Sequence, residues 1–199
     1  MKDVILHYDR LIEENNDPLF DAEPLKKYMD KWDGERFIES MSLDKSKSVL
    51  EIGVGTGRLA VRVIDLCKSF CGIDISPKTV ARASENLKKY KNASFICGDF
   101  LSHDFSETFD VIYSSLTFMH FKDKRSAVRK AASLLNKNGL FVLSVSKDRS
   151  EYIDMGTRKI KVYPDNVEQI RDDLLLAGLR IDDEFETEFA YVTVGRAER

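Results

Sequence analysis

Long apolar runs are missing from this chain. The two longest, Leu140 to Val145 and Leu174 to Leu179, fall far short of the roughly 18 residues that a membrane helix requires. The start, with Lys2 and Asp3 and no apolar core behind them, has no secretory-leader pattern. Cysteine is scarce. Cys67, Cys71 and Cys97 cannot all pair with one another, none sits in a C-x-x-C arrangement, and Cys67-x3-Cys71 lacks a second ligand pair. A reduced, cytoplasmic protein without a metal site is the expectation. Charge of one sign is not in excess either: 31 basic against 34 acidic side chains give a net −3. A phosphate-backbone binder normally carries a basic surplus, so nucleic acid is disfavoured as a partner. The basic run Lys122, Lys124, Arg125, Arg129 and Lys130 has apolar residues between its members and reads as a solvated helix face.

What is present is enough for a packed core: 43% hydrophobic and 33% charged residues in 199, sized for one domain with a small appendage. Residues 1–44 read as a helical extension. Ile5, Tyr8, Leu11 and Ile12 share one helix face; Pro24 opens a second helix with Leu25, Tyr28, Met29 and Trp32 on a stripe, which Gly34 breaks or bends. Residues 45–199 form the main domain, where strands alternate with helices. Strands are expected at Val49–Ile52, Phe70–Ile75, Ala93–Cys97, Phe109–Ser114 and Leu140–Val145. Helices are expected at Thr56–Leu66, from Ser76-Pro77 to about Tyr90, from about Asp123 to Leu135, and from Pro164 to Gly178. Leu179–Phe189 and Tyr191–Gly195 close the chain as an antiparallel hairpin. The expected fold is α/β: a Rossmann-like, doubly wound, mainly parallel seven-stranded sheet with that hairpin at its end.

The sharpest local feature is Glu51-Ile52-Gly53-Val54-Gly55-Thr56-Gly57, between the first strand and the following helix. Glycines there allow close backbone approach to a ligand, and free amides at a helix start would face it. Asp74 ends the second strand, 21 residues after Gly53, where a carboxylate can accept both hydroxyls of a ribose or simply cap a turn. Nicotinamide binding expects G-x-G-x-x-G. Here the third glycine comes one residue early and Arg58 fills the fingerprint's last slot.

The spacing G-x-G-x-G after an acidic residue instead resembles motif I of the class I S-adenosylmethionine-dependent methyltransferases. Gly72-Ile73-Asp74-Ile75-Ser76 is similar to that family's second motif, Gly98-Asp99-Phe100 to its adenine-side motif, and Phe109-Asp110-Val111-Ile112 to its fourth-strand motif. The resemblance spans about residues 48–195 and implies S-adenosylmethionine as cofactor. It implies that Gly53, Gly55 and Gly57 line the methionine and ribose portions, with Glu51 orienting the loop or meeting the ammonium through water. Asp74 would take the ribose hydroxyls, Ile75 would pack on adenine, Asp99 would accept from the adenine amino group, and Phe100 would flank the ring. Backbone near Ser114 and Ser115 would hold the cofactor's amino group. For Ile75 and Phe100 ordinary core packing stays open, as does a turn cap for Asp99; Arg58 either reaches a carboxylate or is a solvated first-turn arginine.

Catalysis then needs in-line alignment and removal of a proton. His120, just past the fourth strand, is the candidate base, with an ordinary pKa of about 6.5; a helix-capping role is equally open. His7 is expected to be exposed. The N-terminal helices offer Tyr8, Tyr28 and Trp32 to the acceptor, or to plain packing, because relatives often cover the cofactor this way. Arg149 to Tyr163 is a second candidate wall, with Tyr152 and Met155 for an apolar acceptor and Arg158, Lys159 and Lys161 for an anionic one. At Ser114-Ser115-Leu116-Thr117 the (Asn/Asp)-Pro-Pro-Tyr motif of adenine and glutamine-amide methyltransferases is absent, and no Pro-Cys pair suggests a cytosine nucleophile. The expectation is a small-molecule methyltransferase, monomeric or homodimeric. A protein side chain is the second acceptor class; a nicotinamide oxidoreductase and a non-catalytic binding protein are the remaining alternatives.

Overall fold

A computed structural model describes residues 2–198 of the chain. Its elements in order are α1 (Lys2–Glu13), α2 (Glu23–Met29), α3 (Gly34–Glu39), β1 (Ser48–Ile52), α4 (Ala60–Val63), β2 (Ser69–Asp74), α5 (Pro77–Asn86), β3 (Ala93–Cys97) and β4 (Phe109–Ser114). There follow α6 (Lys124–Ser133), β5 (Leu135–Ser146), β6 (Tyr152–Asp154), β7 (Lys159–Lys161), α7 (Val167–Leu176), β8 (Leu179–Glu186) and β9 (Ala190–Ala197). The main sheet has seven strands in the order β3-β2-β1-β4-β5-β9-β8. β1 pairs in parallel with both β2 and β4, while β9 runs antiparallel to β5 and β8. The chain leaves β1 toward β2 and later returns to β4 on β1's other side. That reversal opens a crevice at the carboxyl ends of β1 and β4.

Both faces of the sheet are buried, as a parallel sheet with crossover helices demands. The two-residue period of β1 sends Leu50 and Ile52 to one face with Ala127, Val128, Ile170 and Leu174. Val49 goes to the other with Val63, Ile64 and Tyr113. The extension contributes to this second face: Phe37 and Met41 of the α3 region are fully buried there. Among the described residues no helix is long and apolar enough to cross a membrane.

Several boundaries differ from the sequence reading: α5 ends at Asn86 and β8 at Glu186, short of the expected Tyr90 and Phe189, and others differ for a local reason. The helix expected over Thr56–Leu66 shrinks to Ala60–Val63 with a 3-10 turn at Ile64–Leu66, because Gly57 takes φ 100° and cannot belong to a right-handed helix. Asn138-Gly139, expected as a turn, lies inside β5, whose register against β4 shifts between Phe109 and Val111. Asn138 at φ 61° makes this a bulge. Residues 135–139 thus join the strand, and α6 stops at Ser133. α7 begins at Val167 instead of Pro164, since Asn166 caps it by accepting from the Gln169 amide at 2.8 Å. β6 and β7 form a small separate hairpin that the sequence pattern did not announce.

Candidate functional site

A cavity of about 300 Å³ lies at the carboxyl ends of β1, β2 and β4. One wall is the glycine loop and the strand ends: Glu51, Gly53, Gly55, Asp74, Ile75, Asp99 and Phe100 all line it. The opposite wall comes from the extension, through Val4, Tyr8, Pro18 and Met29, and from Leu116, Met119, His120 and Phe121 after β4.

The glycine loop is built differently from the expectation of free amides. The Gly53 and Val54 amides both donate to the Ile73 carbonyl, at 2.8 and 3.1 Å, and the Gly57 amide donates to Val54. The Gly55 amide donates to Asp74 Oδ2 at 3.0 Å. The amides of the loop itself therefore shape it, while no side chain caps the start of the short α4. A Cβ at Gly53 would sit 2.0 Å from Thr117 Oγ1, so that glycine lets the β4 loop pack against β1. At Gly55 the same addition meets nothing within 4 Å, so the backbone there opens onto space. Gly57 is not on the cavity; its Cβ position faces Leu87 at 2.6 Å, and its expected cofactor contact is corrected to a packing role.

Asp74 both shapes the turn and faces the cavity. Oδ1 accepts from the Ser76 amide at 3.0 Å while Oδ2 accepts from Gly55, and burial raises its pKa. A carboxylate has about four acceptor sites, so the two backbone bonds leave lone pairs for a ligand. Asp99 accepts from the Leu101 amide at 3.0 Å, and Phe100, 4% exposed, packs on Phe105 and Phe121. Glu51 shares the Val49 face and accepts from the Tyr113 hydroxyl at 2.8 Å. Burial pushes its pKa up to about 8, against the opposing pull of that hydrogen bond and of Arg58. It is a neutral acid over most of the physiological range.

The Ser114 side chain itself is turned away: its hydroxyl donates to the Ile52 carbonyl at 2.9 Å and it is fully buried, while Ser115 and Leu116, next along the same backbone, line the cavity. Leu116 has φ 57°, an uncommon conformation for a branched side chain, which places a strained residue in the wall. Tyr28 and Trp32 lie outside the cavity. Their rings meet edge to face at 5.5 Å, and Trp32 meets Phe189 beside the β8–β9 turn at 4.7 Å. Met29, on the same helix, is the residue that reaches the cavity.

Tyr8 is where expected, and its hydroxyl hydrogen-bonds His120 Nε2 at 2.8 Å. His120 Nδ1 is buried without a hydrogen-bond partner. Burial, helped by His7 and Lys124, lowers the His120 pKa to about 4, so the ring is neutral in neutral solution. That places it well below the ordinary value on which a base role was first argued. His7, expected to be exposed, is 4% exposed and accepts from Arg158 Nε at 3.0 Å. The Arg149–Tyr163 segment does not line the cavity: Arg158 pairs with Glu14, while Tyr152 and Met155 point to solvent at 51% and 45% exposure.

Sequence reasoning missed one network. Arg58 pairs with Asp33, whose side chain is fully buried, and Ser115 donates to the same carboxylate at 2.8 Å. Asp33 is 25 residues before Arg58 and 82 before Ser115, and no spacing rule connects them.

A sheet of order 3-2-1-4-5 with a terminal antiparallel pair, a glycine loop after β1 and acids at the ends of β2 and after β3 define the class I S-adenosylmethionine-dependent methyltransferases. Residues 43–184 match the family model described as "Methyltransferase domain", and the chain belongs to that family. An uncharacterized methyltransferase of Anoxybacillus flavithermus is 36% identical over 123 residues, 60% of this chain and 57% of that protein. The chain thus matches a little over half the length of such curated relatives. The N-methyltransferase NodS of Bradyrhizobium japonicum, solved with S-adenosyl-L-homocysteine, superposes with TM-score 0.69 at 18% identity, covering 98% of each chain. The magnesium protoporphyrin IX methyltransferase ChlM of Synechocystis, solved with S-adenosylmethionine, gives TM-score 0.65 at 18% identity over 87% of this chain and 78% of that one. At such identity the likeness is one of fold.

Proposed function

We propose that this protein transfers a methyl group from S-adenosylmethionine to a small-molecule acceptor. The observation that carries the reading is the pairing of two unlike walls across one cavity. On one side stand Asp74, Asp99 and the open backbone at Gly55; on the other, the Tyr8–His120 pair. The residues suit the cofactor: Asp74 has acceptor sites left for ribose hydroxyls, Ile75 and Phe100 offer apolar surface to a flat ring, and Glu51 can ionise toward an ammonium. When bound, the cofactor supplies an electrophilic sulfonium methyl group. A cavity of about 300 Å³ is at the low end for ligand sites, which leaves little room beyond the cofactor. That, with the side chains of the extension standing across it, favours a small acceptor over a protein side chain.

His120 has the role of holding the acceptor. Tyr8 occupies Nε2 and Nδ1 is buried without a partner, so an acceptor reaches Nδ1 only by displacing the side chains that cover it. A neutral imidazole of low basicity positions a nucleophile and takes its proton only as positive charge develops on it. Calorimetric titration with S-adenosyl-L-homocysteine, with a nicotinamide dinucleotide as control, tests the cofactor half of the reading. Transfer of labelled methyl to a panel of small metabolites and peptides tests the acceptor half. Homocysteine-form binding in the micromolar range with transfer to peptides alone would overturn the small-molecule assignment. Binding of the dinucleotide alone would overturn the cofactor.

A further inference from the structure

The charges around the cavity say more about the acceptor than its shape does. Among the described residues, Arg58 is the one lining side chain with a fixed positive charge, and it does not face the cavity as a free cation. Asp33, itself 2% exposed, takes two of its guanidinium nitrogens and stands between α2 and α3 on the extension. The cations behind the opposite wall are held in the same manner: Lys124 pairs with Asp165 at 2.7 Å and Arg158 with Glu14 at 2.6 Å. His120 and Tyr8 are neutral at pH 7, the first kept so by burial. Asp74 and Asp99 would be engaged by the cofactor under the proposed reading, and what remains for an acceptor is largely apolar, Val4, Pro18, Met29, Met119 and Phe121 among it, with only uncharged hydroxyls such as those of Ser115 and Thr117. An anion entering such a wall loses its hydration and finds no unpaired cation among the described lining residues in return.

We infer that the cavity takes an uncharged or cationic acceptor with an apolar body, and that Asp33 sets this preference by neutralising Arg58 in the cavity wall. The inference rests on the methyltransferase reading of the cavity. Asp33 is thereby a specificity-determining residue that touches neither the cofactor's ribose nor its adenine side. Asn at this position would keep one acceptor oxygen, for the Gly34 amide, and turn an amide N–H toward the Ser115 hydroxyl, which can accept it, while Arg58 would be left with only Asp30 as a carboxylate partner, 4.0 Å away. The guanidinium would then be available to an anion at the cavity.

The test uses three probes with one body and three charges: phenethyl alcohol, phenethylamine and phenylacetate, titrated into protein saturated with S-adenosyl-L-homocysteine. In the wild type the alcohol and the amine are expected to bind at least tenfold tighter than phenylacetate. In Asp33→Asn, phenylacetate is expected to gain at least tenfold while the alcohol stays within twofold. The double variant Asp33→Asn/Arg58→Gln should return phenylacetate to its wild-type affinity. Phenylacetate binding tightest in the wild type, none of the three binding, or all three weakening together in Asp33→Asn would overturn the inference. The wild-type ranking needs no variant, so the inference stays exposed if Asp33→Asn fails to fold. Failure of the homocysteine form to bind at the outset would instead sink the cofactor reading, which separates the two.

Discussion

The two walls of the cavity were assembled in opposite ways. The strand-end wall is made within 50 residues of chain, Glu51 to Phe100, and its bonds are mostly backbone to nearby side chain, as between Gly55 and Asp74. The other wall is made by contacts across most of the chain: Tyr8 to His120 spans 112 residues, and Asp33 to Ser115 spans 82. Local geometry fixes the first wall once the sheet forms, whereas the second exists only when the extension docks. The lesson is that cofactor recognition and acceptor recognition are separable here, and substitutions should divide them.

The largest effect is expected at Gly53. Alanine there must hold φ 79° and place Cβ against the Thr117 side chain, including its Cβ at 2.8 Å, which no rotamer relieves. A stability loss of about 3 kcal/mol is expected in urea melts. Gly55→Ala, at φ 56° in open space, should lose only about 1 kcal/mol while weakening homocysteine-form binding more. Equal stability losses would erase the contrast within the loop. Asp74→Ala should weaken binding by about 1–3 kcal/mol, roughly up to a hundredfold, in calorimetric titration. An unchanged dissociation constant would remove Asp74 from the cofactor wall.

The pH response sharpens the comparison, because each wall holds a buried group shifted in a different direction. Glu51 is raised from 4.5 to about 8, so the folded state binds the extra proton and its stabilisation is lost as pH rises toward 8. His120 is lowered from 6.5 to about 4, so the unfolded state binds the extra proton and stability is lost as pH falls through that window. The two oppose each other between about pH 4.5 and 6.5, and above 6.5 Glu51 acts alone. Stability should therefore fall by on the order of 1–2 kcal/mol between pH 6.5 and 8, and Glu51→Gln should flatten that decline. A decline that survives in Glu51→Gln would rule out the neutral acid.

Smaller changes belong to the extension. Tyr8→Phe removes the hydroxyl on His120 and should lower turnover about fivefold, roughly 1 kcal/mol, with homocysteine-form affinity unchanged. A matching loss of affinity would show that the two walls are one unit. Tyr28→Ala, which removes an exposed ring from the Trp32–Phe189 group, should cost about 0.5 kcal/mol of stability and leave binding alone. Any change in acceptor preference there would restore Tyr28 to the site.

Most of the strands were legible because their apolar runs are short and bounded, and Ser76-Pro77 announced α5 from its capping chemistry. The errors share a cause. The helix after Gly57, the bulge at Asn138-Gly139 and the β6–β7 hairpin all depend on backbone angles or pairing partners that periodicity does not encode. Tyr28, Met29 and Trp32 read as one helical stripe in the sequence, but α2 ends at Met29, and only docking decided which of the three meets the cavity.

By itself the sequence determined the sheet's parallel centre, the glycine loop with its flanking acids, and the family to which these belong. All of these rest on residues near one another along the chain, where strand period, turn preference and fixed motif spacing act directly. Only the tertiary structure decided that Glu51 is a neutral acid, that His120 is a neutral ring held by Tyr8, and that Arg58 is cancelled by Asp33. Protonation and pairing are set by burial and by partners far away along the chain, and both come into being only when distant segments close over the same cavity.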